Sequence, residues 1–78
     1  MKLTYDLRYN IAYLRLRDKA ADVETLHISE SLNADIGPDG TVYGIELLNA
    51  NEQLRDAGEP TIEVVNEARQ ERHTVQLD

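Results

Sequence analysis

The sequence predicts an α+β fold: mainly an antiparallel β-sheet built as a meander of hairpins, one short α-helix after the fifth strand, and a C-terminal β-hairpin. Three observations support this prediction. Most segments alternate apolar and polar residues with a period of two, which is typical of strands. Turn-forming residues separate these segments, most densely at 37–40, Gly-Pro-Asp-Gly. Helix-start and helix-stop signals flank only one short window, 49–58.

Five strands are predicted before the helix, at residues 2–6, 11–17, 23–29, 32–36 and 42–48. The first two should form an antiparallel hairpin, in which Tyr5 and Tyr13 are cross-strand neighbours. The fifth is apolar on both faces, which is typical of a central strand, and its Gly44 indicates a bulge or a close approach by another group. Strict alternation in this strand puts Tyr43 on the face of Ile45 and Leu47, opposite Val42, Gly44, Glu46 and Leu48.

The helix is predicted from about Ala50 to Ala57. Asn49 is a good N-cap residue, and Glu52 follows it at the spacing of a capping box. Gly58 should end the helix, and Pro60 prevents its restart. A helix this short is not stable alone, so it must dock on the sheet.

The C-terminal segment has two competing predictions. In the first, strands 61–66 and 71–77 form a hairpin around a turn at 67–70. In the second, a helix covers 63–72, because three of its small or apolar residues fit helical spacing. The cluster of β-branched residues in 61–65 favours the hairpin.

A chain of 78 residues predicts one domain, 1–78, with a core at 1–57 and a hairpin extension at 58–78. A core of this size gives only a few kcal/mol of net stability. The chain has no cysteine, which excludes disulfides and cysteine-based zinc sites as additional support. Self-association is the remaining means of stabilisation, so we expect a homodimer or a higher oligomer.

The net charge of −7 bears on the choice of partner. Nucleic acids and anionic membrane surfaces both attract basic proteins, so neither is expected to bind this chain. A basic protein partner would be attracted, although the charge can also serve only to keep the protein soluble. The chain begins without an apolar signal segment and has no run long enough to span a bilayer, so we expect a cytoplasmic location.

Three segments together resemble a short microbial family known only as domain of unknown function 2283. They are 1–6 (MKLTYD), 11–16 (IAYLRL) and 39–50 (DGTVYGIELLNA), and the resemblance covers roughly residues 1–57. Its most specific part is Val-x-Gly-Ile-Glu-x-Leu before the helix, and it departs from the usual pattern at 7–9 and after the helix. The resemblance supports the fold and supplies no catalytic residue. For partners it implies an antitoxin-like role, that is, binding to a small toxin-like protein.

Glu46 is the candidate catalytic residue, because it interrupts an apolar strand. A buried carboxylate is paired or has a raised pKa, as a general acid or base does. The simpler alternative is an ion pair with Arg15 or Arg17, or plain exposure. A pocket lined by Tyr or His beside Glu46 would favour the catalytic alternative.

The remaining polar residues predict no cofactor and no metal site. Asp35, Asp39 and Glu46 partly match the spacing of a calcium-binding EF-hand loop, but Gly37 replaces one ligand and the flanks alternate like strands. We therefore interpret this segment as a hairpin turn. His27 and His73 have no metal-ligand spacing to other residues.

The sequence thus predicts an interaction module that self-associates and binds a protein partner; the alternative is a small-ligand-binding protein or enzyme that uses Glu46. The candidate interface is an apolar patch of Ile11, Val42 and Leu48 on the face opposite the short helix. A competing expectation is that residues 61–78 fold back over that patch and leave a monomer. Whether the protein is an enzyme stays open, with a non-enzyme favoured.

Overall fold

The computed structural model describes residues 1–18, 22–54 and 61–77 of the chain. Strands and one helix follow each other in the predicted order, and the hairpin meander is confirmed. The elements are β1 (Lys2–Asp6), β2 (Ile11–Arg15), β3 (Glu24–Ser29), β4 (Leu32–Ile36), β5 (Val42–Leu48), α1 (Ala50–Leu54), β6 (Thr61–Asn66) and β7 (Glu71–Gln76).

The first five strands form one antiparallel sheet in the order β1-β2-β5-β4-β3. The doubly apolar strand β5 is therefore central, as the sequence predicted. The 37–40 turn joins β4 to β5: Gly40 has a φ of 87°, and the Gly40 N–H donates to the Gly37 carbonyl at 3.0 Å. A positive φ costs glycine little, which explains why this residue is found at the turn.

A β-bulge at Tyr43 shifts the alternation along β5. Gly44 pairs with Asp35 and Val42 pairs with Ile36, so Tyr43 is the additional residue. The bulge turns Tyr43 to the face of Gly44 and moves Val42 to the opposite face. The predicted alternation of this strand was wrong at Val42 and Tyr43. The bulge places two residues of β5 opposite one residue of β4, and strict alternation does not allow for this extra residue.

The bulge also ends β2 earlier than predicted. The Tyr43 carbonyl accepts hydrogen bonds from both the Leu16 N–H at 2.9 Å and the Arg17 N–H at 3.2 Å. Two consecutive donors on one acceptor break the regular ladder, so β2 ends at Arg15 and not at Arg17.

Tyr5 and Tyr13 are not the cross-strand pair that the sequence predicted. The register pairs Thr4 with Tyr13 and Tyr5 with Ala12, which places the two tyrosines on opposite faces of the sheet. The Tyr5 hydroxyl donates to the Asn51 side chain at 2.5 Å and so links β1 to α1.

The cap of α1 comes from another part of the chain than predicted. Asn10 lies in the turn between β1 and β2. Its backbone carbonyl accepts a hydrogen bond from the Ala50 N–H at 3.0 Å, and its side-chain oxygen accepts one from the Asn51 N–H at 2.5 Å. Asn49 has a φ of 52° and contributes only its carbonyl, which accepts from Glu52 and Gln53. The predicted end of the helix at Ala57 to Pro60 lies outside the described residues.

The C-terminal hairpin is confirmed, and the alternative helix is wrong. β6 and β7 pair antiparallel: Thr61 lies opposite Gln76 at one end, and Asn66 lies opposite Glu71 at the other. In the turn between them, Gln70 has a φ of 56°. The Arg72 guanidinium lies 3.1 Å from the Glu63 carboxylate across the hairpin.

The interior of the molecule is small. Ala12 is 1% exposed and Ala50 is 0% exposed, and among the described residues no large side chain is fully buried. These two alanines mark the contact between α1 and the sheet. The apolar side chains around them are only half buried, which leaves the face of the sheet under the helix incompletely covered.

Candidate functional site

The two faces of the five-stranded sheet differ in chemistry. By register, one face is apolar, with Leu3, Leu14, Leu26, Ala34, Ile45 and Leu47, and α1 packs on it. The opposite face, which we call the polar face, carries Thr4, Tyr13, Arg15, Thr25, His27, Asn33, Asp35 and Glu46. Polar residues in register on all five strands can form hydrogen-bonded rows across the sheet.

The first row connects β2, β4 and β3 through Asp35. The Tyr13 hydroxyl reaches across β5 and donates to Asp35 Oδ2 at 2.5 Å, and the Thr25 hydroxyl donates to Asp35 Oδ1 at 2.7 Å. Each carboxylate oxygen thus receives a hydroxyl donor. These two contacts fix the position of the Tyr13 ring over the sheet.

Gly44 makes this row sterically feasible. A Cβ atom at position 44 would lie 2.1 Å from the Tyr13 hydroxyl oxygen and 2.5 Å from ring carbon Cζ. The ring therefore occupies the space that any other residue's side chain would fill. The sequence indication that Gly44 marks a close approach is confirmed, and the approaching group is Tyr13.

The environment of Tyr13 raises the pKa of its phenol to about 12. Burial against the sheet is the largest cause, and the hydrogen bond to Asp35 and the charge of that carboxylate follow. Arg15 acts in the opposite direction. The phenol is therefore a hydrogen-bond donor at neutral pH and is unsuited to act as a base there.

The second row contains the predicted candidate Glu46. The Asn33 amide donates to Glu46 Oε1 at 3.0 Å, and His27 Nδ1 lies 2.5 Å from Asn33 Oδ1. Because the Asn33 oxygen only accepts, a hydrogen bond between these two atoms requires Nδ1 of His27 to be the donor. Glu46 is half buried and is in no ion pair with Arg15 or Arg17 within the described residues. Its catalytic role stays a prediction.

A pocket of about 220 Å³ opens on the polar face beside the first row. Its walls are Tyr13, Arg15, Arg17, Val23, Asp35 and Tyr43, and Glu46 is not among them. The bulge at Tyr43 is the reason that a second tyrosine faces this space. The described residues of the pocket combine two guanidinium groups, two phenol rings and one carboxylate.

A second, larger hollow of about 510 Å³ lies on the apolar face, and we call it the apolar groove. Its walls are Met1, Leu3, Leu14 and Leu47 of the sheet, Leu54 of α1, and Ile62, Val64, Val75 and Leu77 of the C-terminal segment. The groove thus separates the C-terminal hairpin from the sheet. The hairpin faces the apolar side of the sheet, not the side for which the sequence analysis expected a cover.

The structure separates the three candidate interface residues. Ile11 and Leu48 are a direct cross-strand pair, whereas Val42 lies at the other end of β5. Val42 is 37% exposed and, because of the bulge, lies on the opposite face from Leu48. They do not form the single patch that was expected, and their role as an interface stays a prediction.

Tyr13 and Asp35 form one hydrogen-bonded unit that was not predicted from the sequence. The alternation of 32–36 did place Asp35 on the polar face of a strand, but no pattern connected it with Tyr13 on β2. The available signal was a lone glycine in an apolar strand, which indicated space for a large side chain. Within the described residues, no three His, Asp or Glu side chains come together in a way that could hold a metal ion.

The fold is that of a small α+β protein with a five-stranded antiparallel sheet. One face of this sheet is polar, and the other is apolar and incompletely covered. No helix in the described ranges has the length and apolar character needed to cross a membrane.

The chain belongs to the family described as protein of unknown function (DUF2283), whose model matches residues 2–51. The match covers the whole five-stranded sheet and the first residues of α1. No curated protein and no solved structure matches the chain.

Proposed function

We propose that the protein is a self-associating interaction module, in which the apolar groove of one copy is closed by a second copy. The main support is that the chain exposes more surface than a folded monomer of its mass normally does. The chain exposes 6032 Å², whereas a folded monomer of 8.9 kDa exposes about 4,800 Å². The difference of roughly 1,200 Å² exceeds the ~800 Å² that each partner buries in a standard interface.

The dimensions of the chain support the same conclusion. Its radius of gyration is 14.1 Å, whereas a compact domain of this length has about 11.5 Å. The chain is therefore more open than a monomer that buries its own apolar surface. A second copy would supply the missing contacts without any additional sequence.

The C-terminal hairpin is the part that most needs a partner. A two-stranded hairpin is marginal in water unless its apolar side packs on something. Val64 and Val75, which face the apolar groove, are still 56% and 50% exposed. Packing these two valines on a second copy would stabilise both the hairpin and the groove.

A second copy fits the groove better than a basic protein does. None of the described side chains that line it is charged, in a chain where 29% of the residues are charged. A basic partner would find no carboxylate there to pair with. Each copy offers both an apolar sheet surface and an apolar hairpin surface, so the patch is self-complementary, as a two-fold interface requires.

Sedimentation equilibrium over a range of micromolar concentrations tests the proposal. We expect a mass near twice 8.9 kDa that falls towards the monomer mass on dilution. Val64→Glu should shift the equilibrium to the monomer, because it places a carboxylate in the apolar groove. Val65→Glu is the matched control, because Val65 is the next residue of β6 and points away from the groove.

Two results would overturn the proposal. One is a mass of 8.9 kDa that does not change with concentration. The other is equal dissociation by both glutamate variants, which would place the interface elsewhere. Circular dichroism of each variant shows whether the sheet is retained. Since Val64 is half exposed, its replacement should leave the monomer folded.

A further inference from the structure

The pocket on the polar face is lined by two basic residues, although the chain as a whole is acidic. The chain carries 15 acidic and 8 basic residues. The ion pairs engage Arg8, Arg69 and Arg72, whereas Arg15 and Arg17 have no ion pair within 4.0 Å to any described residue. Both of these arginines line the pocket. Two guanidinium groups are therefore held at one concave place in a strongly acidic chain.

Asp35, the one carboxylate among the described residues that line the pocket, is already engaged. Both oxygens of Asp35 accept hydroxyl hydrogen bonds, from Tyr13 and from Thr25. Asp35 therefore fixes the wall of the pocket and competes little for the arginines. Arg15 instead lies near the Tyr13 ring, with its guanidinium carbon 6.0 Å from the ring centre.

The walls are preorganised by the backbone. Tyr13 is held over Gly44, where no side chain competes for the space. The bulge turns Tyr43 against Gly37, where an added Cβ would lie 2.6 Å from the Tyr43 ring. Two aromatic rings and Val23 thus give the pocket a flat apolar part beside its cationic part.

We propose that this pocket binds a small organic carboxylate with a flat, apolar body. Guanidinium groups recognise carboxylates through paired N–H donors, which gives both orientation and strength. The aromatic walls fit a planar body. The volume of about 220 Å³ lies below the ~300–1,000 Å³ typical of pockets for drug-sized ligands, so the ligand is small.

The test is a titration of the full-length protein with benzoate, followed by heteronuclear NMR of the backbone amides and the arginine side chains. We expect saturable shifts that centre on Tyr43, Gly44 and the Arg15 side chain. The double variant Arg15→Gln, Arg17→Gln should weaken binding at least tenfold. The matched control is Arg69→Gln, Arg72→Gln, which removes the same charge from the C-terminal hairpin and should leave the affinity unchanged.

Two further probes define the ligand class. Benzyl alcohol keeps the ring but lacks the carboxylate, and inorganic phosphate keeps the charge but lacks the ring. Binding of benzoate that is at least tenfold tighter than that of either probe supports the proposal. Equal binding of phosphate, equal loss in both double variants, or no saturable shift with benzoate would overturn it.

Discussion

Replacing Gly44 by alanine should disconnect Tyr13 from Asp35 without removing either residue. The new Cβ would lie 2.1 Å from the phenol oxygen, and ordinary contact begins near 3.4 Å. The phenol must therefore move by about 1.3 Å, which breaks the 2.5 Å hydrogen bond to Asp35. The ring is the far end of a side chain, so it can swing away while the strand stays in place.

The free energy of this change has two parts. A hydrogen bond to a charged group contributes about 1.5–3 kcal/mol, and the lower value applies here because Tyr13 is only half buried. Alanine is preferred over glycine inside a strand by about 0.5–1 kcal/mol, which offsets part of the loss. The net destabilisation is about 1 kcal/mol, which lowers the Tm of a domain this size by roughly 4–8 °C.

A double-mutant cycle with Tyr13→Ala isolates the steric cause. Without the ring, Gly44→Ala has nothing to displace, so it should stabilise the sheet by about 0.5–1 kcal/mol. The coupling between the two changes is then about 1.5–2 kcal/mol, measured by urea unfolding at one fixed protein concentration. Gly40→Ala is the control: its cost comes from a φ of 87°, and it should be the same in both backgrounds.

Additivity would refute this reasoning. If Gly44→Ala changes the free energy of unfolding equally with and without the Tyr13 ring, within ~0.5 kcal/mol, then the ring does not occupy the space over Gly44. The same result would remove the preorganised wall on which the carboxylate pocket depends.

Three further predictions follow from particular contacts. Because folding raises the pKa of Tyr13 to about 12, its contribution is complete below pH 10 and is lost as the pH rises from about 10 to 12. Unfolding titrations should show a loss of about 1 kcal/mol in that window, after allowance for solvent screening, and no such loss in Tyr13→Phe. Asn10→Ala should lower the free energy of unfolding by about 2 kcal/mol, since it removes the helix cap and puts alanine at a φ of 57°. Asn49→Ala should lower it by about half as much, because it changes only a residue at positive φ. Thermal unfolding that ranks the two variants in reverse would contradict the assigned cap. Val42→Asp should leave the sedimentation mass unchanged, since Val42 does not line the apolar groove, and dissociation would return the interface to the patch predicted from the sequence.

Alternation and turn chemistry were sufficient to predict most of the fold. Strands β1, β4 and β5 have the predicted bounds, and the pairing of the C-terminal hairpin follows from its β-branched residues. These features are local, since each depends on a short run of residues and on the turn beside it. The central position of β5 also followed from its composition, because it is the most apolar strand of the sheet.

The features that escaped prediction depend on contacts between distant residues. The cap of α1 comes from Asn10, about 40 residues before the helix, so the adjacent Asn49 was a misleading signal. The bulge at Tyr43 has no compositional mark of its own beyond the neighbouring Gly44, yet it decides which residues face the pocket. The apolar groove depends on how the hairpin lies against the sheet, which no local pattern encodes.

The two proposed activities use opposite faces of one sheet, and β5 connects them. Leu47 of β5 lines the apolar groove, whereas Tyr43 and Gly44 shape the pocket on the polar face. A two-fold dimer that closes the grooves turns both polar faces outward, because the faces of a strand alternate. Such a dimer leaves each pocket open to solvent, so self-association and carboxylate binding are compatible in the same assembly. The part of the chain that matches the family includes the described walls of the pocket and the sheet side of the groove, whereas the hairpin side of the groove lies outside it.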